Sequence, residues 1–207
     1  MKVLVACEFS GTVRDAFIAR GHDAWSCDIL PTERPGNHIQ ADVFDVINDG
    51  WDLMLAFPPC THLAVSGSRW FAQKRADGRQ QATVDFFLAI SNADIPKIAI
   101  ENPVGVMSRF FRKPDQIIQP YYFGDAVTKT TCLWLKGLPK LTHDPAAYAD
   151  KGEFYEWVDR KTGKRKRQSM FHARAKGFGG KADSGDHGMQ RSRTFSGIAA
   201  AMADQWG

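Results

Sequence analysis

A cysteine that follows two prolines is the residue best suited to chemistry in this sequence. Leu53 to Phe57 is a short apolar run bounded by turn residues, which is typical of a buried β-strand. Pro58 and Pro59 end that strand, because neither can donate a backbone hydrogen bond to a sheet. Cys60 therefore lies on a stiff loop at the carboxyl end of a strand, where open α/β sheets bind their ligands. A thiol held there is suited to nucleophilic attack on a substrate carbon.

The other cysteines are expected to be inert core residues, because they lie in or beside apolar runs: Cys7, Cys27 and Cys132. All four cysteines are widely separated, with no C-x-x-C pair, which argues against a zinc site and a disulfide framework. No metal is expected.

The surrounding pattern alternates strands and helices. We predict strands at 3–7, 24–27, 39–42, 53–57, 95–100 and 130–135, and helices at 12–20, 43–48, 79–93 and 195–206. Ser10 or Thr12 is expected to cap the first helix. This alternation predicts an α/β fold with a mostly parallel sheet flanked by helices.

Polar residues follow several of these strands and are expected to meet at one edge of the sheet: Glu8 to Gly11, Asp28, Asp42, Pro58 to Cys60, and Glu101-Asn102. Asp28 lies about 20 residues after the first turn, the spacing at which Rossmann folds place a carboxylate on ribose hydroxyls. Taken alone this spacing is a weak signal, because acids at strand ends are common.

Length and composition are those of an ordinary soluble protein. The 207 residues are expected to form a single domain, with 43% hydrophobic and 24% charged residues. No apolar run approaches the roughly 20 residues needed to span a bilayer. Met1 to Glu8 is expected to be the first core strand rather than a signal peptide, so we expect a cytoplasmic protein without a membrane partner. Nothing in the sequence indicates an oligomeric state.

The composition becomes polar, Gly-rich and basic between about residues 141 and 190, which predicts an insertion outside the main sheet. Residues 160–181 contain nine lysines and arginines and no acid. Such a segment is either a phosphate-binding surface or a solvated loop, and composition alone does not separate these interpretations.

Taken in order, these motifs resemble those of the C5-cytosine DNA methyltransferase family. The family's Pro-Pro-Cys loop, with its preceding Asp-plus-apolar strand and following Gly, is matched nearly end to end by Asp52 to Gly67. Glu101-Asn102-Pro103 is similar to its Glu-Asn-Val signature, and Cys7 to Gly11 resembles its first loop. The resemblance covers about residues 2 to 138 and the last helix. The compact form resembles small enzymes of bacteriophages and prophages, for which restriction avoidance is an expected role.

The resemblance implies a Rossmann-like S-adenosylmethionine-dependent methyltransferase fold with Cys60 as the nucleophile. Glu101 would contact the base, and Lys129 would be the cation retained from the family's Gln-x-Arg-x-Arg segment. The implied donor site consists of Glu8, Phe9, Ser10, Gly11, Asp28, Ile29, Asp42, Val43 and Pro58. Within it, Asp28 and Asp42 fall where the family places acids for the ribose hydroxyls and the adenine amino group.

The chemistry of cytosine explains these residue types. Its C5 atom is a poor nucleophile until a thiolate adds to C6 and breaks the aromaticity of the ring. A carboxyl group can stabilise the developing charge by bonding N3 and the exocyclic amine. Because C6 is inaccessible inside a duplex, the base must be flipped out of double-stranded DNA or lie in single-stranded DNA.

The chain departs from the family in two places. Thr12-Val13-Arg14 stands where further glycines are usual, so the donor's methionine portion is expected to sit differently and Arg14 to reach its carboxylate. The recognition region is reduced to about residues 141–190, which favours short or relaxed recognition. The expected DNA contacts are Arg165, Lys166, Arg167, Arg191 and Arg193. His62 is expected to shape the pocket rather than to carry a proton.

Two alternatives remain open at this point. The same pocket could act on cytosine in RNA or in a nucleotide, or with a modified sulfonium donor. The chain could also be a catalytically degenerate methyltransferase fold that only binds DNA, which the missing glycines support. The joint presence of Cys60 and Glu101 speaks against a pure binding protein.

Overall fold

The computed structural model describes residues 1–173 and 193–207, and most of its strands belong to one sheet. The strands are β1 (Lys2–Ala6), β2 (Asp23–Asp28), β3 (His38–Gln40), β4 (Leu53–Ala56), β5 (Lys97–Pro103), β6 (Gln116–Ile118), β7 (Thr131–Lys136), β8 (Phe154–Val158) and β9 (Arg165–Ser169). The main sheet has the order β3-β2-β1-β4-β5-β7-β6. Its first five strands run parallel, and β7 is antiparallel to both neighbours.

Helices connect these strands and cover both faces of the sheet. They are α1 (Thr12–Ile18), α2 (Val43–Val46), α3 (Phe71–Ala76), α4 (Arg79–Ser91), α5 (Met107–Phe110), α6 (Met170–Ala173) and α7 (Ser196–Trp206). Short 3₁₀ turns occupy Val65–Trp70, Pro120–Phe123 and Pro145–Ala147. None of the helices in the described ranges is long and apolar enough to cross a membrane.

The central strands are apolar on both faces because each face is covered. Val3 and Val5 of β1 point to a core shared with α1 and α7, whereas Leu4 and Ala6 point to a second core shared with α4. A continuous apolar strand is what a parallel sheet between two helical layers requires. Each fully buried side chain of the size of Val or Leu contributes about 1.5–3 kcal/mol to this packing. The predicted fold class, a Rossmann-like α/β fold, is confirmed.

Helix α1 begins differently from the prediction. Its N-cap is Gly11, in the left-handed conformation at φ 75°, and no side chain caps the helix. The expected cap by Ser10 or Thr12 is wrong, because the N-cap position falls on Gly11; the Ser10 hydroxyl, one residue earlier, donates to the carboxylate of Glu8 and accepts from the amide of Thr12 at 3.3 Å. A glycine suits this position because it adopts positive φ without a steric penalty.

The predicted convergence of strand ends is confirmed by the parallel pairing of β1 to β5, since their carboxyl ends lie at one edge of the sheet. Residues 154–169 form a separate antiparallel hairpin of β8 and β9, outside the main sheet. The single-domain organisation of residues 1–207 stays a prediction.

Candidate functional site

The loop that carries Cys60 is tied to the strand that carries Glu101. The buried side chain of Asn102 donates from Nδ2 to the carbonyl of Pro58 at 2.9 Å. Asn102 is adjacent to Glu101 on β5, and Pro58 lies two residues before Cys60. Cys60 itself is partly exposed, as a residue that meets a substrate must be. The two motifs singled out in the sequence thus form one connected structure.

A second connection lies just beyond both motifs. The amide of Val65 donates to the carbonyl of Val104, and the amide of Val106 donates to the carbonyl of Leu63, each at 3.0 Å. Gly105 lies between these bonds, and a Cβ atom at this position would overlap the Leu63 carbonyl. The close backbone approach therefore depends on the absence of a side chain at position 105.

Glu101 and Lys129 come together as predicted for a site at this edge. Glu101 faces Leu133 across the β5–β7 pair, and Lys129 lies two residues before β7 begins. Nζ of Lys129 is 4.0 Å from Oε1 of Glu101. Burial raises the pKa of Glu101, against the lowering effects of Lys129 and a hydrogen bond from Thr131.

The Glu101–Lys129 pair borders a shallow depression that is open to solvent and is lined by Glu101, Lys129, Thr131, Thr194, Phe195 and Ile198. The ring of Phe195 lies 5.7 Å from Nζ of Lys129. Cys60 lies on the neighbouring loop rather than in the wall of this depression. Sequence analysis missed Thr194, Phe195 and Ile198. The one sequence signal near these residues was the start of the amphipathic helix predicted at 195–206.

The start of α7 is held beside this depression by Asp125. Its Oδ2 accepts a hydrogen bond from the amide of Gly197 at 2.9 Å, and its Oδ1 accepts one from the Ser196 hydroxyl at 3.2 Å. A Cβ atom at Gly197 would overlap the carbonyl of Phe123. This anchoring fixes the wall that Phe195 and Ile198 contribute.

The first loop is organised around a buried carboxyl group. Glu8 accepts hydrogen bonds from the hydroxyl of Ser10 and from the amide of Gly11, the latter at 3.1 Å. Burial raises the pKa of Glu8, and the bonds from Ser10 and Gly11 oppose that rise. Glu8 and Ser10 are thus engaged in shaping the loop, and Phe9 is buried beside them.

Arg14 is not available to a ligand, which corrects the expectation that it reaches the donor's carboxylate. Its side chain is 0% exposed and binds the loop after β2 through the carbonyls of Arg34 and Pro35, each at 3.2 Å. It also donates to the hydroxyls of Ser26 and Thr32, each at 3.3 Å. The guanidinium group supplies several donors in a fixed plane, which suits it to holding an irregular loop.

The acidic residues predicted for the donor occupy the expected edge. Asp28 is partly buried, which raises the pKa of its carboxyl group, while its Oδ1 accepts from the amide of Leu30 at 2.9 Å. Ile29 follows with 72% of its surface exposed, an unusual exposure for so apolar a residue. Asp42 is exposed and caps α2 by accepting from the amide of Phe44 at 3.0 Å. Val43, which follows Asp42, is buried, and so is Pro58 in the loop before Cys60.

The remaining cysteines are unsuited to nucleophilic chemistry. Burial raises the pKa of Cys27 and of Cys132 to about 11, with Asp28 and Glu101 adding to the respective effects. Burial also raises the pKa of Cys7, which is partly buried at the end of β1. In the described ranges no group of His, Cys, Asp and Glu side chains is arranged to hold a metal ion.

Three of the predicted DNA contacts lie on the β8–β9 hairpin. Arg165, Lys166 and Arg167 are exposed on β9. Lys166 pairs with Asp159 in the hairpin turn, and the guanidinium of Arg167 lies 5.1 Å from the centre of the Phe154 ring. Arg165 and Arg167 share one face of the hairpin, whereas Lys166 lies on the other face with Tyr155 and Trp157, whose rings stack 5.7 Å apart.

The other two predicted contacts lie near the end of the chain. Arg193 pairs with Glu33 at 2.6 Å, which joins the segment before α7 to the loop after β2. Arg191, by contrast, falls outside the described residues. A DNA-binding role for either arginine stays a prediction.

His62 lies two residues after Cys60. Its backbone carbonyl accepts a hydrogen bond from Nε2 of Gln80 at 3.0 Å. Burial lowers the pKa of its imidazole, and the nearby charges of Lys74 and Arg79 lower it further. A role of the His62 side chain in shaping the pocket stays a prediction.

No family model matches the chain, and no curated protein is similar to it in sequence. A solved structure with some likeness is that of a proposed DNA modification methyltransferase encoded within a prophage of E. coli. It is 17% identical, with a TM-score of 0.43, over 64% of this chain and 45% of that chain. The match thus spans less than half of that protein, and a likeness at this level identifies neither a family nor an activity.

Proposed function

We propose that the chain is a DNA cytosine-C5 methyltransferase that uses S-adenosylmethionine as its methyl donor. The observation that carries the proposal is the hydrogen bond from Asn102 to the carbonyl of Pro58, because it joins the loop of a partly exposed thiol to the strand of a buried carboxyl group. A protein that only binds DNA has no need of that combination. The sequence motifs on both sides of this bond belong to one family pattern.

In the proposed reaction the thiolate of Cys60 forms a bond to C6 of cytosine. The electron pair of the C5–C6 double bond becomes available at C5, which then bonds to the methyl group of the donor. S-adenosylmethionine, when bound, supplies that methyl as an electrophile and leaves as a neutral thioether. Loss of the C5 proton to solvent and cleavage of the bond between sulfur and C6 restore the aromatic ring and the thiolate. Cys60 thus acts as a covalent catalyst.

Glu101 and Lys129 would act on the same base. A carboxyl group whose pKa is raised by burial can share a proton with N3 of cytosine and accept a bond from the exocyclic amine. Nζ of Lys129, 4.0 Å from Oε1 of Glu101, opposes this rise in the pKa of Glu101. Phe195 adds an apolar wall beside the cation.

The residues at the strand ends fit the adenosine part of the donor better than its methionine part. Asp28 has one carboxylate oxygen bound to the Leu30 amide, and Ile29 beside it exposes an apolar surface suited to a flat ring. Asp42 is exposed at the start of α2. Near Gly11 the space is filled by the Arg14 side chain, so the methionine part would contact the backbone of residues 9–11.

DNA is the proposed partner, with the base either flipped from a duplex or already single-stranded. The exposed arginines of β9 suit contacts with phosphates, which position a nucleic acid without reading its sequence. Tyr155 and Trp157 offer stacking surfaces on the other face of the same hairpin.

Nucleoside analysis tests the proposal directly. DNA and RNA from cells that express the protein would be digested and their nucleosides identified by mass spectrometry, with 5-methylcytosine expected in DNA. In the presence of S-adenosylmethionine, purified protein should also form a stable covalent adduct with DNA that contains 5-fluorocytosine, because fluorine at C5 cannot leave as a proton does after methyl transfer and the bond between sulfur and C6 is then not cleaved. Cys60→Ser should abolish both signals, whereas Cys132→Ser, which alters a buried thiol, should retain them. Modified RNA without modified DNA would contradict the DNA assignment.

A DNA-binding protein without turnover is the second candidate. The observation that favours it is the filled space beside Gly11, where Arg14 stands in the first loop. In that case the wild-type protein would bind DNA, but nucleoside analysis would find no 5-methylcytosine and no adduct with 5-fluorocytosine DNA would form.

A further inference from the structure

Two buried polar side chains hold consecutive carbonyls of the loop immediately after Cys60. Nζ of Lys74 on α3 donates to the carbonyl of Thr61 at 2.6 Å. Nε2 of Gln80 on α4 donates to the carbonyl of His62 at 3.0 Å. Lys74 is 8% exposed and Gln80 is 1% exposed, so both contacts are made by buried residues rather than at the protein surface.

Burial of these two groups is unusual. Lysine is almost never fully buried unless it is paired, because an ammonium group loses its hydration in the interior. The acceptor of Lys74 is a neutral carbonyl rather than a carboxylate. Oε1 of Gln80 is buried without a hydrogen-bond partner within the described part of the chain. The burial of Lys74 and Gln80 is best explained by the loop carbonyls that they bind.

The two contacts come from one rigid unit. Asp77 lies between α3 and α4, and its Oδ1 accepts a hydrogen bond from the backbone amide of Arg79 at 3.1 Å. Gly78 makes the turn with a φ of 77°. Lys74 therefore lies in the last turn of α3, and Gln80 lies in the first turn of α4. Together they bind the carbonyls of two adjacent residues of the loop, Thr61 and His62.

These contacts complete the fixing of the loop. Asn102 holds it at Pro58, before the cysteine, and the paired bonds at Leu63 and Val65 hold it further on. Thr61 and His62 are the residues between those anchors. Their carbonyls would otherwise lack partners in an irregular segment, which is costly for a partly buried backbone.

We propose that Lys74 and Gln80 are positioning residues that fix the direction of the Cys60 side chain. The proposal rests on the proposed function for its substrate, but the positioning itself is a property of the loop. Lys74 is charged and Gln80 is neutral, so variants of the two residues separate the loss of a carbonyl contact from the loss of a charge.

The first experiment measures adduct formation with 5-fluorocytosine DNA in Lys74→Met and Gln80→Leu. The matched controls are Arg75→Met and Gln81→Leu, which change exposed residues on the same two helices. We expect the rate of adduct formation to fall by roughly tenfold or more in the first pair, equivalent to about 1.4 kcal/mol, with an unchanged dissociation constant for DNA. The controls should match the wild type. Measurable adduct formation at equal rates in all five proteins would overturn the proposal.

The second experiment uses no nucleic acid and therefore separates this proposal from the proposed function. Iodoacetamide would alkylate the native proteins, and the rate at Cys60 would be followed by peptide mass spectrometry. We expect alkylation of Cys60 to slow in Lys74→Met and in Gln80→Leu, with free cysteine added to the same reaction as the reference thiol. Lys74→Arg, which keeps a charged donor for the Thr61 carbonyl, should restore part of the rate. Slowed alkylation in a protein whose wild type forms no adduct would support the positioning role and reject the methyltransferase.

Stability must be measured on the same samples. If Lys74→Met melts below the assay temperature, Lys74→Gln, which keeps a hydrogen-bond donor but carries no charge, replaces it in both experiments. A thermal midpoint that falls without any change in Cys60 alkylation would show a purely structural role and would overturn the proposal.

Discussion

Nζ of Lys129 lies 4.0 Å from Oε1 of Glu101, and only 15% and 16% of the two side chains are exposed. The pair does not compensate the burial of the carboxyl group, since the pKa of Glu101 remains raised. Buried charges in this state weaken rather than stabilise a fold. This cost agrees with the role in catalysis that we propose for the pair.

Glu101→Gln should increase stability at neutral pH while it lowers activity. A carboxyl group whose pKa is raised in the folded state favours folding at acid pH, where it is neutral, and loses this advantage as the pH rises through its raised pKa. Glutamine mimics the neutral form at every pH. Melting curves at acid and neutral pH should show similar midpoints at acid pH and a higher midpoint for the variant at neutral pH.

Glu156→Gln, at an exposed position, is the control for this experiment and should show no such divergence. Methyl transfer by Glu101→Gln should fall by about 10²–10⁴, as expected when a positioned acid or base is removed. A variant less stable than the wild type at neutral pH would refute the assignment of an unfavourably buried carboxyl group.

Lys129→Met should raise the pKa of Glu101 further, because the ammonium is a cause that lowers it. The limb of the pH–rate profile that belongs to Glu101 should consequently move to higher pH, and Lys129→Arg should leave it nearly in place. Profiles of kcat/KM measure the shift. Lys151→Met is a suitable comparison, since Lys151 lies over the Tyr121 ring rather than beside Glu101. An unmoved limb in Lys129→Met would show that the 4.0 Å pair does not couple the two groups.

Arg14→Met should destabilise the protein and release the loop that follows β2. Hydrogen bonds to charged groups are each worth about 1.5–3 kcal/mol, and the buried guanidinium makes several to residues 32–35. Urea unfolding should show a loss of at least that size, and hydrogen exchange should quicken in residues 32–36. Arg20→Met removes an exposed ion pair with Asp204 and should cost only about 0–1 kcal/mol. Similar losses in the two variants would contradict the structural role of Arg14.

Arg165→Ala on the hairpin should weaken DNA binding and reduce its dependence on salt. Removal of one phosphate contact lowers the slope of log K against log salt by about 1. Lys166→Ala should have a smaller effect, because its ammonium is engaged by Asp159. Binding titrations over a range of salt concentrations measure both, with the exposed Lys140→Ala as a charge-matched control. An unchanged slope in Arg165→Ala would remove this residue from the proposed DNA surface.

Local patterns were sufficient to predict most of the sheet. The apolar run before Pro58 and the alternation of strands and helices each depend on a few neighbouring residues, so β4 and the parallel order followed from the sequence. The placement of the Cys60 loop and of Glu101 at the same edge of the sheet followed in turn, because the parallel strands β4 and β5 are neighbours. The three-residue strand β6 was missed, since so short an edge strand has little periodicity.

Contacts between distant residues were not predictable in the same way. Lys74 stands between Gln73 and Arg75 in a polar run typical of a solvated helix, and nothing in that run indicates that its ammonium is buried against Thr61. Arg14 looked like a candidate for a ligand because its neighbours lacked the expected glycines, whereas the partners that bury it include residues 12 to 21 positions away. The wall of the depression at Phe195 depends on Asp125, 72 positions before the Gly197 that it holds.

The reciprocal amide bonds around Gly105 have a mechanical meaning. The bonds join the segment after Cys60 to the segment after Glu101, so a shift of one segment is passed directly to the other. Under the proposed function, a side chain at position 105 would alter how the Cys60 loop is placed relative to Glu101, because a Cβ atom there overlaps the carbonyl of Leu63.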